Sequence, residues 1–146
     1  MRTQYIYDLI TTAETCVQDG MLFKATGYLR RVLELSRPGE FTAELALLRL
    51  SDVHQRQGRY TESIGLMQKA IESRPGESRY LLMLAELLKL NGELTEALAV
   101  AYDTISSPTT HQDGLRLIES INHQLGDYET VSCAVDPSRF SQIVPQ

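Results

Sequence analysis

Three glycines recur along the chain at a constant interval, and this spacing restricts the fold more than any other feature. Gly58, Gly92 and Gly126 are separated by 34 residues each time. Two positions after each glycine stands a large residue: Tyr60, Leu94 and Tyr128. Five positions after each glycine stands a compact residue: Ser63, Ala97 and Val131. Such a fixed interval is typical of folds built from repeated units that stack on one another.

Each unit is predicted to contain two helices joined by the glycine turn. Before the glycine, apolar residues such as Leu81, Leu84 and Leu87 recur at the spacing of one helix face. After it, the compact residues share one stripe, so a neighbouring helix can approach closely. Glycine suits the turn because it adopts positive φ without a Cβ clash, and Pro75 and Pro108 end the second helices. The sequence therefore predicts an all-α fold.

Composition and charge narrow the class of protein. The chain has 146 residues, of which 42% are hydrophobic and 23% charged, as in an ordinary globular domain. Its formal net charge of −5 argues against a nucleic-acid partner, which requires a concentrated basic face. No cleavable leader and no 18-residue apolar run is present, so we expect a cytoplasmic protein without membrane insertion.

Catalytic and metal-binding patterns are missing from the sequence. Cys16 and Cys133 lie far apart, and neither has a CxxC or histidine spacing that would favour a disulfide or a zinc site. The motifs GxSxG, GxxxxGK[ST] and HExxH do not occur. His54 has no potential ligand at a suitable spacing, so we expect it to pack between helices. The sequence predicts that the protein is not an enzyme and carries no cofactor or metal.

The repeat pattern resembles the tetratricopeptide repeat family. The match is best over 44–77. This segment carries the pattern residues of the family at Leu47, Leu50, Gly58, Tyr60, Ile64, Met67, Ala70, Ile71 and Pro75. It differs from the family at Ser51, His54 and Ser63. The resemblance divides a single domain, 1–146, into units 6–43, 44–77, 78–111 and 112–145, the last of them degenerate. It implies an α-solenoid of stacked antiparallel helix pairs, which forms a right-handed superhelix with a concave groove.

Units one and four depart most from the pattern. Unit one has 38 residues, four more than the period, and an extended turn at 36–41 is the expected result. Unit four has Glu119 where a compact residue is usual, and its second helix is expected to break at Asp136–Pro137. A terminal, partly exposed unit is expected to look like this.

The resemblance further implies that the first helices line the groove and hold a peptide or amphipathic helix of another protein. The implied groove residues are Leu48, Arg49, Asp52, Arg56, Arg79, Leu82, Met83, Glu86, Lys89, Arg116 and Leu117. Unit one adds Tyr7, Ile10, Thr11, Glu14, Val17 and Gln18 to the same face. We expect Leu48, Leu82, Met83 and Leu117 to be poorly buried and to form an apolar strip. Only Arg49 and Arg79 fit the carboxylate clamp of the family, so no such clamp is predicted.

The predicted function is that of an adaptor or chaperone-like scaffold. Type III secretion chaperones of the tetratricopeptide class are similar in size and repeat number. Two alternatives stay open: a structural module that self-associates, for instance as a homodimer, and a regulatory domain of a larger enzyme. The groove arginines are equally compatible with ordinary solvated surface charges.

Overall fold

The computed structural model describes the backbone of residues 2–135 and the side chains of residues 2–126. This part of the chain contains seven helices and no strand, which confirms the predicted all-α class. The helices are α1 (Arg2–Gln18), α2 (Leu22–Leu35), α3 (Phe41–Arg56), α4 (Tyr60–Ser73), α5 (Ser78–Leu90), α6 (Leu94–Thr104) and α7 (His111–Val135).

The helices pack as consecutive antiparallel pairs. Helix α1 packs on α2, α3 on α4 and α5 on α6, and each pair packs on the next through α2–α3, α4–α5 and α6–α7. Helix α1 also contacts α3, and α5 also contacts α7. This arrangement is the predicted right-handed α-solenoid of stacked helix pairs with a concave groove.

Glycine turns end the first helices of units one to three. Gly20, Gly58 and Gly92 have φ angles of 79°, 76° and 85°, a region that residues with a Cβ rarely adopt. The following amides, from Met21, Arg59 and Glu93, donate to carbonyls in the last helical turn at 2.8 to 2.9 Å. These bonds satisfy carbonyls that the helix end would leave free.

The compact residues of the second helices form the tightest helix contacts. Ala25, Ser63 and Ala97 have no exposed surface, as the repeated pattern predicted. In unit two the serines at this contact satisfy each other, because the Ser51 and Ser63 hydroxyl oxygens lie 2.7 Å apart. The Ser63 hydroxyl also donates to the Ser51 carbonyl oxygen at 2.8 Å. A serine pair therefore replaces the usual small residues without leaving an unpaired buried donor.

A buried carboxylate joins unit two to unit three. Glu44, near the start of α3, is 4% exposed. It accepts a hydrogen bond from the Tyr80 hydroxyl on α5 and lies 3.3 Å from the Arg74 guanidinium. Burial, followed by this hydrogen bond, raises the pKa of Tyr80 to about 12. Two partners thus compensate the desolvated carboxylate and fix α5 against α3.

The extra residues of unit one lie mainly in a helix. Helix α3 has 16 residues and α5 has 13, whereas the connection 36–40 is only one residue longer than the connection 74–77. The prediction of an extended turn is therefore wrong for three of the four extra residues. Residues 41–43 form the start of α3, which begins three residues earlier than the corresponding position of α5. They are helical because Thr42 and Ala43 are buried, and the Thr42 hydroxyl lies 2.7 Å from that of Ser36.

Unit four lacks the predicted turn at Gly126. Helix α7 has 25 residues and passes through Gly126 without a break. Glycine permits positive φ but does not require it, and its cost inside a helix is only about 1 kcal/mol. The turn prediction is wrong for this reason, and the break predicted at Asp136–Pro137 lies outside the described residues.

Candidate partner-binding groove

The residues implied for the groove differ in how far the fold buries them. Six are exposed, namely Arg49, Arg56, Arg79, Met83, Glu86 and Arg116, and four are half-buried, namely Leu48, Asp52, Leu82 and Lys89. The remaining one, Leu117, is only 7% exposed.

Leu117 belongs to the core, so the expectation that it lies in an exposed strip is wrong. It packs with Ile118 and Ile121 against α5 and α6. Leu115, whose counterpart Leu47 is buried, is instead 41% exposed. Within the described residues α7 has no second helix of its own, so it turns its apolar side towards the preceding unit. Ile118 and Ile121 are buried as their counterparts Leu84 and Leu87 are, so α7 departs from the register of the earlier units only at some positions.

Three of the four residues predicted for the apolar strip, Leu48, Leu82 and Met83, keep exposed surface. Met83 is 37% exposed, whereas Leu48 and Leu82 also pack against the core between α4 and α7. Arg79 lies one helical turn before Met83 on α5, and its guanidinium has no ion pair among the described residues. Neighbouring turns of α5 therefore present an exposed apolar side chain and a cation.

A cavity of about 320 Å³ opens between α1 and α3. It is lined by Ala13, Glu14, Val17, Gln18, Leu29, Arg49, Asp52 and Arg56. Six of these were placed on the groove face from the sequence. The other two, Ala13 and Leu29, are buried residues that form its floor. Ala13 occupies the same compact position as Ser51 and Ala85, so no signal in the sequence distinguishes this gap.

Ion pairs orient the charged side chains around this cavity. The Arg49 Nε atom donates to Glu14 Oε1 across the two helices at 2.9 Å, and Arg56 Nε donates to Asp52 Oδ2 at 3.1 Å. All four side chains are substantially exposed, so each pair contributes at most about 1 kcal/mol to stability. Their main effect is to hold both guanidinium groups in place beside the cavity.

A polar contact also connects α5 to α7. The Lys89 ammonium on α5 donates to the Ser120 hydroxyl oxygen on α7 at 2.7 Å. Within α7, the Arg116 guanidinium lies 3.4 Å from the Asp113 carboxylate. Burial raises the pKa of the Glu86 carboxyl, Lys89 opposes this shift, and Asp113 adds to it. Of the charged residues at this end of the groove, Lys89 and Arg116 have polar partners within the protein, whereas Arg79 has no ion pair among the described residues.

The described residues contain no group of three His, Cys, Asp or Glu side chains placed to hold a metal ion. His54 is buried at the end of α3, and burial, followed by the nearby Arg59 charge, lowers its pKa. It packs between helices, as the sequence predicted. Among the described residues, none of the seven helices has both the length and the apolar character that a membrane-spanning helix requires.

The helix pairs, glycine turns and groove define the fold of a tetratricopeptide repeat protein. No protein-family model matches the chain, and no curated protein sequence matches it either. Solved structures do share its fold. A tetratricopeptide repeat protein from Parabacteroides merdae superposes with a TM-score of 0.75 and 23% identity over 86% of this chain. The chain spans 48%, about half, of the length of that protein.

Two further solved structures contain bound peptides. The Yersinia enterocolitica type III secretion chaperone SycD, in complex with a peptide of the translocator YopD, matches with a TM-score of 0.70 and 20% identity, covering 83% of this chain and 95% of SycD. The first repeat domain of Spaghetti (RPAP3), bound to an HSP90 peptide, matches with a TM-score of 0.71 and 10% identity. The match covers 84% of this chain and 94% of the Spaghetti domain. At these identities the similarity shows the fold.

Proposed function

We propose that this protein is an adaptor or chaperone-like scaffold that holds a peptide or helix of a partner protein in its concave groove. The observation that carries the proposal is the exposed side chain of Met83 one helical turn from Arg79, whose guanidinium has no ion pair among the described residues. Leu48 and Leu82, on α3 and α5, are partly exposed. SycD and the Spaghetti domain, which share the fold, were solved with peptides of other proteins. A cytoplasmic location and a protein partner belong to the same proposal.

The groove favours a segment that combines apolar and acidic residues. Apolar side chains of an amphipathic helix or an extended peptide would cover Leu82 and Met83, and a carboxylate would pair with the Arg79 guanidinium. Arg49 is less suited to this second role, because Glu14 already occupies its Nε atom. Such a segment in a small groove commonly binds at about micromolar Kd, near −8 kcal/mol, with a few central contacts supplying most of the energy.

Reversing the charge of Arg79 and removing the apolar side chain of Met83 tests the proposal. Both side chains are exposed, so Arg79→Glu with Met83→Ser is expected to change stability by less than about 1 kcal/mol. Leu82 is left intact because it also packs against the core. Partner capture from the native cell, quantified by mass spectrometry, is expected to fall about tenfold or more.

A matched control makes one charge reversal and one removal of an exposed apolar side chain on second helices. Lys69→Glu and Tyr102→Ser alter an exposed cation on α4 and an exposed aromatic residue on α6. This variant is expected to capture the partner as the parent does. Equal capture by the groove variant, or equal loss with the control, would place the partner elsewhere and overturn the proposal.

A further inference from the structure

The solvent-facing side of α2 carries positive charge and an exposed aromatic ring. Lys24, Arg30 and Arg31 are exposed there. Arg31 pairs with Glu34 at 2.9 Å, whereas Lys24 and Arg30 have no ion pair within the described part of the chain. Phe23 is 88% exposed, the largest fraction among the exposed large hydrophobic side chains described. We call Phe23, Lys24, Arg30 and Arg31 the basic face of α2.

The solvent-facing side of α6 carries the opposite charge. Glu96 and Asp103 are exposed and have no ion pair among residues 2–126, and α6 contains no lysine or arginine. Tyr102 lies beside Asp103 in the sequence and is 50% exposed. We call Glu96, Tyr102 and Asp103 the acidic face of α6.

The charges of the two faces stand at equivalent positions of their units. Lys24 and Glu96 both lie four residues after a turn glycine. Arg31 and Asp103 both lie eleven residues after it. Since seven residues make about two helical turns, both charges of a face lie on one side of the helix. If α6 of a second copy lies along α2, opposite charges meet at both positions, whichever way the two helices run.

Small residues allow the two faces to approach each other. Between the charges lie Gly27 on α2 and Ala99 on α6, and both are exposed. No atom lies within 4 Å of a Cβ added at Gly27. Packed helix axes lie about 8–10 Å apart, depending on the side chains at the contact, and small side chains permit the shorter distances.

We propose that the basic face of α2 in one copy binds the acidic face of α6 in a second copy of this chain, and that this contact covers Phe23. The formal net charge of −5 makes two copies repel each other as wholes, so a contact between them must bring opposite charges together locally. Because the two faces differ, the contact is head to tail and leaves one face of each kind open for a further copy.

This inference goes beyond the proposed function and does not depend on it. Both faces lie on second helices, whereas Arg79 and Met83 lie on a first helix, so the groove stays open in joined copies. A cross-linker at Tyr102 would therefore capture this chain itself and not the partner that the groove holds.

Sedimentation velocity over a concentration series tests the contact in the parent protein. At about 0.05 M salt, the weight-average sedimentation coefficient is expected to rise between roughly 10 μM and 1 mM protein, a range that brackets a weak Kd. At about 0.5 M salt the association is expected to weaken at least fivefold, because salt screens exposed charges. A parent protein that stays monomeric throughout the low-salt series would refute the proposal.

Two charge-reversed variants test whether these faces form the contact. Lys24→Glu with Arg31→Glu reverses the face of α2, and Glu96→Lys with Asp103→Lys reverses that of α6. All four side chains are exposed, so the melting temperature is expected to stay close to that of the parent. Each variant alone is expected to associate at least tenfold more weakly, because like charges now meet. The α6 variant has a smaller net charge than the parent, so overall repulsion cannot explain its loss.

An equimolar mixture of the two variants gives the decisive result. The reversed α2 of one variant then meets the reversed α6 of the other, and their unreversed faces also match, so association is expected to return. A mixture that stays monomeric, or single variants that associate as the parent does, would contradict the proposed contact.

Helix α4 offers a matched control, because Glu62 and Lys69 occupy the same two positions of unit two. Glu62→Lys with Lys69→Glu keeps the net charge and is expected to associate as the parent does. Phe23→Ser, by contrast, is expected to weaken association severalfold without changing the melting temperature, since the ring is exposed in the single copy. An equal loss in the α4 control would show that the contact lies elsewhere on the second helices.

Discussion

Ala97→Arg is expected to lower the free energy of unfolding by about 3–5 kcal/mol. Ala97 on α6 has no exposed surface and lies in the core formed by α4 to α7. An arginine there must bury its charge or push the two helices of unit three apart, and either outcome has a large energetic cost. Equilibrium unfolding in urea measures the loss, and a markedly lower midpoint is expected.

Ala99→Arg is the matched control, because Ala99 lies on the same helix and faces solvent. The two variants share the same change in charge and in helix propensity. The control is expected to stay within about 0.5 kcal/mol of the parent. Similar urea midpoints for both variants would mean that Ala97 does not occupy the close helix contact.

Gly114→Ala is expected to destabilise the protein by about 2–3 kcal/mol, although alanine normally favours a helix. A Cβ atom at this position would lie 2.2 Å from the Thr104 Oγ1 atom and 3.1 Å from the Ile105 Cγ2 atom. Thr104 is fully buried, and its hydroxyl donates to the Ala101 carbonyl, so it cannot move aside freely. Helix α7 would have to shift away from α6.

Gly65→Ala provides the contrasting case, since no atom lies within 4 Å of a Cβ added in the middle of α4. That change is expected to raise stability by about 0.5–1 kcal/mol. Adding Thr104→Ala to Gly114→Ala removes the clashing oxygen and is expected to recover part of the loss. Strictly additive effects of these two substitutions would show that the contact is not the cause.

The sequence predicted the elements that each unit repeats. Ala25, Ser63 and Ala97 were recognisable because close helix packing requires compact residues at a fixed distance from the turn. Gly20 and Gly58 were recognisable because the turn needs positive φ. Both requirements are local, so a single sequence records them at a constant spacing.

Features that depend on neighbouring units were not predictable in the same way. The burial of Leu117 and exposure of Leu115 follow from α7 having no second helix of its own in the described part of the chain. The bond from Tyr80 to Glu44 joins residues 36 positions apart, and neither position is part of the repeat pattern. The cavity depends on Ala13, which the sequence placed in the helix contact and not in the groove.

Site-specific photocross-linking in the native cell tests the central claim most directly, because it records which face of the protein the partner touches. A benzophenone amino acid is placed at Met83, in the groove, or at Tyr102, on the second helix of the same unit; both side chains are exposed. The account predicts a cross-linked partner from position 83 and none from position 102. A partner cross-linked from position 102 and not from position 83 would contradict it.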